Sequence, residues 1–562
     1  MATVFEFIAG NLARLHARVV YDRFIRSLRR SEQTRAAALK RALAQIVDSE
    51  FGRSHRLATV RTLADLRGAV PLHTYEQCRP WIERVWNGEA RALFSPEVNI
   101  RMFATSSGTT ARQKLVPVTD AFIADYRRGW NTFGLKMYRD HIDAFLRGIL
   151  QSTGRHDEAH APSGAPCGAI TGLLAMTQKG IVRRFYVGGV EVAQLPTATA
   201  RFYTLMRLGV VRDVAYAITA NPATLIQMAK IADENRHELI RDVHDGSLSP
   251  RITGNEPLAP ELQARLSPNP KRAAELEQLL ARHGALRPRD LWHLCFVACW
   301  TGGSMGHYLP RVRELWGDIP VRDIGLLASE GRVSIPLDDN TSIGVLDLSA
   351  GVFEFIPVDE FDRANPTVLG SHELSAGCDY GVVLTNTAGL IRYRLDDVVR
   401  VHGYLEGSPL VEFLYRGGRV SSLAGEKLTE NQVIAAYRDA IAKAQHRNFD
   451  FALNPVWDEP PYYCLICSDE LTSAFVDELD AALSRQNAEY ASRRNSFRLG
   501  PLRIMTVGKA AFAAMDERLV ARQRARAEQY KRPHLFTRAE DCEAAFGKLP
   551  PIFTSPTKTL SA

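Results

Sequence analysis

The chain has 562 residues, 46% hydrophobic and 24% charged, with 70 basic against 63 acidic side chains and a net charge of +7. That is the composition of a globular protein long enough for several structural lobes. A basic excess so small and so spread out suits anionic small molecules and makes no nucleic-acid footprint, which needs clustered charge. No apolar run reaches the length of a membrane span, and eight scattered cysteines fit a reducing compartment. The expectation is a cytoplasmic monomer with no nucleic acid and no membrane among its partners.

Residues 1 to about 60 are helical in pattern. MATVFEFIAGNLARLHARVV is broken by polar and basic residues before a signal-peptide core forms, and reads as an amphipathic first helix. A mixed α/β region follows and contains TSSGTTARQK, Thr105 to Lys114. Its small residues let backbone N–H groups approach an anion, and the hydroxyls of Ser106, Ser107, Thr109 and Thr110, beside Gly108, add donors. Lys114 would supply a point charge. A Walker loop is excluded, because Gln113 precedes the lysine and Leu115 follows it, where that motif needs Gly and Ser or Thr.

Residues 150 to 170 are polar and breaker-rich, so a loop is expected. HDEAH at 156–160 fits neither a zincin, which needs glutamate directly after the first histidine on a helix, nor a helicase box, which needs an apolar strand before it. From 200 to 330 helical periods alternate with short apolar runs. ASEG at 328–331 places Ser329 and Glu330 after such a run. A carboxylate beside a triphosphate is best explained as a magnesium ligand, since it would otherwise repel the phosphates.

From 341 to 415 short β-rich runs follow one another: SIGVLDL, VFEFI, YGVVLTN, LIRYR, VVRVH and LVEFLY. Between LIRYR and VVRVH, Tyr393, Arg394, Asp396 and Asp397 stand together. An acid at a strand end can accept two hydrogen bonds from a ribose. The alternatives are a turn-capping pair for the aspartates and a sheet-face salt bridge for Arg394. RGGRVSS marks a boundary, giving domains 1–417 and 418–562. Thr429 and Gln432 then form a capping box, with Leu428 and Val433 as its staple. Further helices and strands make the remainder a small α+β lobe. CxxC at Cys464 and Cys467 reads as part of a buried strand, with no second pair to complete a zinc site.

SSGTT…K, SE, YRLDD, GR and GEKLTE, in that order, resemble the adenylate-forming superfamily of acyl-CoA synthetases and luciferase. FGRSHRL, VPLHTYEQCRPWIERVWNGE, TNTAGLIRYRLDDVVRVHGY and AEQYKRPHLF resemble, within it, the acyl-acid amido synthetases, the group of the plant auxin- and jasmonate-conjugating enzymes. The likeness runs from about residue 50 to 540. It implies an α/β fold, with a large N-terminal adenylate-forming domain of mixed sheets, packed helices and a β-rich subdomain. A small mobile α+β C-terminal domain completes it.

The implied reaction uses ATP and Mg2+. A small carboxylic acid attacks the α-phosphate to give acyl-AMP and pyrophosphate, and an amine or amino acid then takes the acyl group as an amide. By the same resemblance Ser106, Ser107, Gly108, Thr109 and Thr110 match the phosphate loop, with Lys114 at its basic end. Ser329 and Glu330 match the second motif, in which the glutamate serves magnesium and phosphate. Asp397 matches the ribose acid, with Tyr393 and Arg394 beside it. Arg419 matches the arginine after the hinge, and Lys531 the lysine of the C-terminal lobe that swings over the reacting groups. Lys427 is a second candidate of that lobe, or a solvated helix-start lysine.

Three positions depart from the pattern. Ala111 stands where a glycine is common, Leu326 where the plant enzymes carry an aromatic residue, and Asp396 where YRxGD has glycine. The acid pocket is expected between large-lobe helices near Trp130, Phe133 and residues 300–308. No dedicated base for the amine is evident. The alternatives are an acyl-CoA-type ligase of the same superfamily and a non-catalytic acyl- or nucleotide-binding relative.

Overall fold

The computed structural model describes residues 4–106, 114–178, 180–361, 363, 365–416, 420–447, 449–523 and 532–547. Ser107, Gly108, Thr109, Thr110, Ala111, Arg419 and Lys531 lie outside them, as do the side chains of Ser106 and His307. The chain divides into two compact units, the first ending at Arg416 and the second built from the chain after it.

In the first unit, helices Val4–Arg29, Ser31–Ala44 and Tyr75–Trp86 precede the strands. The strands are β1 (Ile100–Ser106), β2 (Lys114–Thr119), β3 (Gly148–Gln151), β4 (Ala159–His160), β5 (Pro166–Gly168), β6 (Val214–Ile218), β7 (Phe296–Cys299) and β8 (Val321–Asp323). After them come β9 (Leu327–Ala328), β10 (Gly331–Arg332), β11 (Ser334–Pro336), β12 (Ile343–Leu346), β13 (Val352–Pro357), β14 (Leu369–Gly370), β15 (Asp379–Thr385), β16 (Tyr393–Leu405) and β17 (Ser408–Arg416).

They form a parallel sheet in the order β3-β6-β7-β8, a mixed sheet β2-β1-β5-β4, and a seven-stranded sheet β11-β12-β17-β16-β15-β13-β14. The seven-stranded sheet is antiparallel at every pair. Strands β6, β7 and β8 are buried along their whole length, the mark of a parallel sheet covered on both faces. Its carboxyl edge is where open α/β sheets take ligands. There Asp323 accepts from Thr301 N (2.6 Å), Thr301 Oγ1 (2.7 Å) and Gly325 N (2.6 Å), which stitches the loops after β7 and β8 together.

Helix Asp120–Asp140 starts directly after β2, because Thr119 Oγ1 accepts from Phe122 N (3.1 Å) and caps it. The same hydroxyl donates to Thr387 O (2.9 Å) and so ties the helix start to the turn after β15.

Two expectations are corrected. The stretch 150–170 is not all loop: Cys167 and Gly168 pair in parallel with Phe103 and Ala104, and Ala159–His160 adds an edge strand. Its breakers serve close packing, for a Cβ on Gly168 would lie 2.6 Å from Arg155 O. LIRYR and VVRVH do not flank a turn either. From Tyr393 on they are one strand, β16, whose pairing with β15 slips between Gly381 and Val383.

The second unit holds β18 (Val420–Ser421), β19 (Leu428–Thr429), β20 (Phe451–Val456), β21 (Tyr462–Cys467) and β22 (Arg503–Thr506), with helices Glu430–Ala444, Ser473–Gln486 and Lys509–Gln523. Its main sheet pairs β20 with β21 antiparallel and β21 with β22 parallel. The capping box is present: Thr429 Oγ1 accepts from Gln432 N (3.2 Å), and Gln432 Oε1 accepts from Thr429 N (3.1 Å). Leu428 and Val433 are both buried. Cys464 and Cys467 are buried free thiols in β21, and burial pushes their pKa values up to about 12 and about 11, so neither is a ready thiolate.

Candidate active site

Three segments remote in sequence meet in the first unit. Ser106, the last residue of β1, pairs with Lys114, the first of β2, so the hairpin brings both ends of the presumptive phosphate loop to one place. Ser329 Oγ donates to Thr105 O (3.0 Å), which fastens the second motif to that hairpin. Lys114 is buried, and its Nζ donates to Tyr393 Oη (3.1 Å). Tyr393 Oη in turn donates to Glu330 Oε1 (3.5 Å), a weak contact. An ammonium, a phenol and a carboxylate thus form one buried row. In a low-dielectric setting such a row lets each charge offset the desolvation of the other.

Glu330 is itself held from behind, since its backbone carbonyl accepts from Asn386 Nδ2 (2.6 Å). Lys114 lies over two aromatic faces, 5.2 Å from the ring centre of Tyr75 and 5.8 Å from that of Tyr393. Tyr75 Oη both accepts from Leu115 N (2.6 Å) and donates to Leu115 O (3.1 Å). Burial pushes its pKa up to about 12, and the Glu330 carboxylate adds to the rise. Tyr75 therefore stays a neutral phenol that fixes the start of β2. Residue-type reasoning left it unassigned, although VPLHTYEQCRPW was already legible as framework.

The start of β16 is positioned from outside the sheet. His73 N donates to Arg392 O (2.9 Å) and Arg394 N to His73 O (2.8 Å), a bridge that brackets Tyr393. Burial lowers the His73 pKa, so its imidazole is neutral, with Nδ1 on Ile391 O (3.2 Å). Asp397 is buried opposite Arg416 of β17. Arg394 lies over the Phe361 ring (4.5 Å) and donates to Phe361 O (2.7 Å), while its Nε has no hydrogen-bond partner. Arg394 therefore makes no sheet-face salt bridge.

The slip in β16 explains Asp396. Its φ is +63°, in the left-handed region, where glycine is at ease and Asp is among the side chains that tolerate the strain. The bulge re-aims its neighbours, as bulges near sites do. Asp396→Gly is expected to change stability by no more than about 0.5 kcal/mol, and Asp396→Val to cost about 1–2 kcal/mol. Urea unfolding of the two variants checks this. Equal loss from both would mean that the carboxylate, and not the backbone, is what matters there.

Trp130 and Phe133, on helix Asp120–Asp140, stand edge to face with ring centres 5.5 Å apart. Trp300 Nε1 donates to Gly325 O (3.0 Å) at the carboxyl edge of the parallel sheet. Leu326 is partly buried against the main core.

Among the described residues no group of three or more His, Cys, Asp or Glu side chains could hold a metal ion. A single buried carboxylate, Glu330, fits a magnesium ion of the kind that takes one or two protein carboxylates and completes its shell with phosphate oxygens and water. No described helix is long and apolar enough to cross a membrane.

The chain matches the GH3 family N-terminal domain over residues 20–321, the GH3 family central domain over 344–416 and the GH3 family C-terminal domain over 431–540. It is 24% identical to the 4-substituted benzoates-glutamate ligase GH3.12 of Arabidopsis thaliana over 508 residues, covering 83% of this chain and 86% of that one. To the indole-3-acetic acid-amido synthetase GH3.10 of Arabidopsis thaliana it is 26% identical, over 81% and 83% of the two chains. To the jasmonoyl–L-amino acid synthetase JAR4 of Nicotiana attenuata it is 24% identical, over 83% and 84%. In fold it is similar to the AtGH3.15 acyl acid amido synthetase solved in complex with 2,4-DB, with a TM-score of 0.64 at 22% identity over 95% of both chains. With all three domain matches in order along the chain, it belongs to the GH3 family of acyl-acid amido synthetases.

Proposed function

We propose that the chain is an ATP-dependent, AMP-forming ligase that joins a small carboxylic acid to an amine or amino acid. The observation that carries the reading is the meeting of Lys114, Tyr393 and Glu330 beside the β1–β2 hairpin, in a chain whose relatives are named for joining acids to amino acids.

In the first step a carboxylate oxygen bonds to the α-phosphorus and the bond to the pyrophosphate oxygen breaks. In the second, the amine nitrogen bonds to the acyl carbon, the bond to AMP breaks and a proton leaves the nitrogen. Two anions must meet in the first step, so fixed positive charge and oriented donors do most of the work. In this reading Ser106, Ser107, Gly108, Thr109, Thr110 and Lys114 receive the phosphates. Ser329 orients the second motif, Asp397 takes the ribose, and Tyr393 and Arg394 border it. Glu330 would hold Mg2+, which supplies charge neutralisation to the phosphates when bound. Residues 1–417 hold nucleotide and acid, while 418–562 act as a lid carrying Arg419 and Lys531 to them. The second step needs mainly orientation, because AMP is already a good leaving group.

An acid panel read by ATP–pyrophosphate exchange, followed by mass spectrometry of products with amino acids and with coenzyme A, tests this. Acid-dependent exchange and an acyl–amino acid product are expected. Exchange with no acid would sink the ligase reading, and thioester in place of amide would reassign the acceptor.

A further inference from the structure

Arg332 is left over by the adenylating chemistry. It lies two residues after Glu330, and its side chain is 1% exposed. Nη1 donates to Ile324 O (3.0 Å) and Ser334 O (3.1 Å). Nε and Nη2 have no hydrogen-bond partner, and among the described residues no other arginine has two such nitrogens. Those two nitrogens form the edge with which Arg101 grips Asp120 (2.6 and 3.0 Å) and Arg400 grips Asp379 (2.7 and 2.9 Å). In Arg332 that edge is buried and unused. Burying donors without partners is costly, which is a reason to look for a guest.

The surroundings narrow the guest. The guanidinium carbon lies 4.6 Å from the Trp130 ring centre and 5.7 Å from that of Phe133, so aromatic faces flank the edge. Asp347 Oδ1 is occupied by Ser349 N (3.1 Å) and Ser349 Oγ (2.6 Å), but Oδ2 is buried with no partner. Gly129 lets the helix come this close. A Cβ there would lie 2.5 Å from Arg332 Cδ, 3.0 Å from Nε and 3.2 Å from Asp347 Oδ2. Nε and Oδ2 therefore share one neighbourhood, within reach of a single bridging oxygen.

The open positions are two donors and one acceptor. A second carboxylate on the guest would satisfy the donors and meet the Asp347 carboxylate with like charge. A hydroxyl accepts two hydrogen bonds and donates one, and so satisfies all three atoms without adding charge. We propose, resting on the ligase reading of the adjacent site, that Arg332 and Asp347 bind a hydroxyl group on the acid substrate. The acid is then a hydroxylated one whose apolar body lies against Trp130 and Phe133.

The test compares hydroxyphenylalkanoic acids of graded chain length, each beside its phenyl and methoxyphenyl analogues. Two readouts are used: ATP–pyrophosphate exchange, and thermal shift with the acid alone. The best hydroxyl acid should exceed its phenyl partner by at least ~30-fold in kcat/KM, because a site built around a hydroxyl leaves buried polar groups unpaired with the analogue. The methoxy acid, unable to donate, should gain nothing. Arg332→Met should bring the ratio close to one, and Arg332→Lys, which keeps charge but loses the fork, should leave it in between. Equal use of hydroxyl and phenyl acids by the wild type, or an unchanged ratio in Arg332→Met, overturns the proposal. Should no acid support exchange, the ligase reading fails, and the thermal-shift preference for the hydroxyl acid, present in wild type and absent in Arg332→Met, still decides for or against Arg332.

Discussion

Acid-dependent pyrophosphate exchange by the Glu330→Gln protein is expected to fall by about 100- to 1,000-fold. Glutamine has the shape of glutamate, and its carbonyl can still accept from Tyr393 Oη, now at 3.5 Å from Glu330 Oε1. What it loses is the charge. Without that charge the magnesium-bearing triphosphate has no protein carboxylate in the described site row, and the Lys114 ammonium keeps only Tyr393 within it. The half-saturating Mg2+ concentration should therefore rise along with the fall in rate. Tyr393→Phe separates the two effects. It removes the phenol that joins Lys114 to Glu330 but keeps both charges, so a smaller loss, about tenfold, is expected from one hydrogen-bonding group. Steady-state kinetics at several Mg2+ concentrations, with circular dichroism to establish folding, measure both. A Glu330→Gln protein within tenfold of wild type, with unchanged Mg2+ dependence, would remove Glu330 from the chemistry and leave it as a buried structural partner of Tyr393.

Much of this site was readable before any coordinates, and what was not readable had a physical reason. Thr429 and Gln432 announced a helix start because a capping box is local chemistry, complete within four residues. The β-rich character of 341–415 was legible for the same reason. The merger of LIRYR and VVRVH was not, because it depends on Asp396 adopting φ +63°, and the residue type alone reads equally as a turn cap. The pairing of Cys167 and Gly168 with β1 depends on a backbone approach that composition hides under its breakers. Motif order named Lys114, Glu330 and Tyr393, but it could not say that the lysine rests on the tyrosine and the tyrosine on the glutamate. Arg332 carried no signal at all. GRVSIP is unremarkable as a string, and an unpaired buried edge exists only once helix Asp120–Asp140 has closed over it.

The largest stability effect is expected at Glu354, which is 1% exposed in β13. Its carboxylate accepts from Arg392 Nε (3.0 Å), Arg392 Nη2 (3.2 Å) and Arg67 Nε (2.8 Å). Arg392 also donates through Nη1 to Val70 O (2.8 Å), and its backbone N donates to Thr385 Oγ1 (2.9 Å). Its own φ is +46°, so the residue immediately before Tyr393 is held in a strained conformation by its side-chain partners. Removing the carboxylate in Glu354→Ala leaves a buried guanidinium uncompensated, which should cost about 3–5 kcal/mol. Arg67, about a third exposed, can turn to water, whereas Arg392 cannot. Glu354→Ala combined with Arg392→Met removes both buried charges, and replacing a buried pair by apolar groups is often nearly neutral. The double variant should therefore recover most of the lost stability in urea unfolding. Activity should not recover with it, because the left-handed residue at 392 would no longer be pinned and Tyr393 would lose its register against Lys114 and Glu330. If Glu354→Ala alone costs less than about 1 kcal/mol, the pair behaves as a solvated one, and Tyr393 is then held chiefly by its bracket to His73.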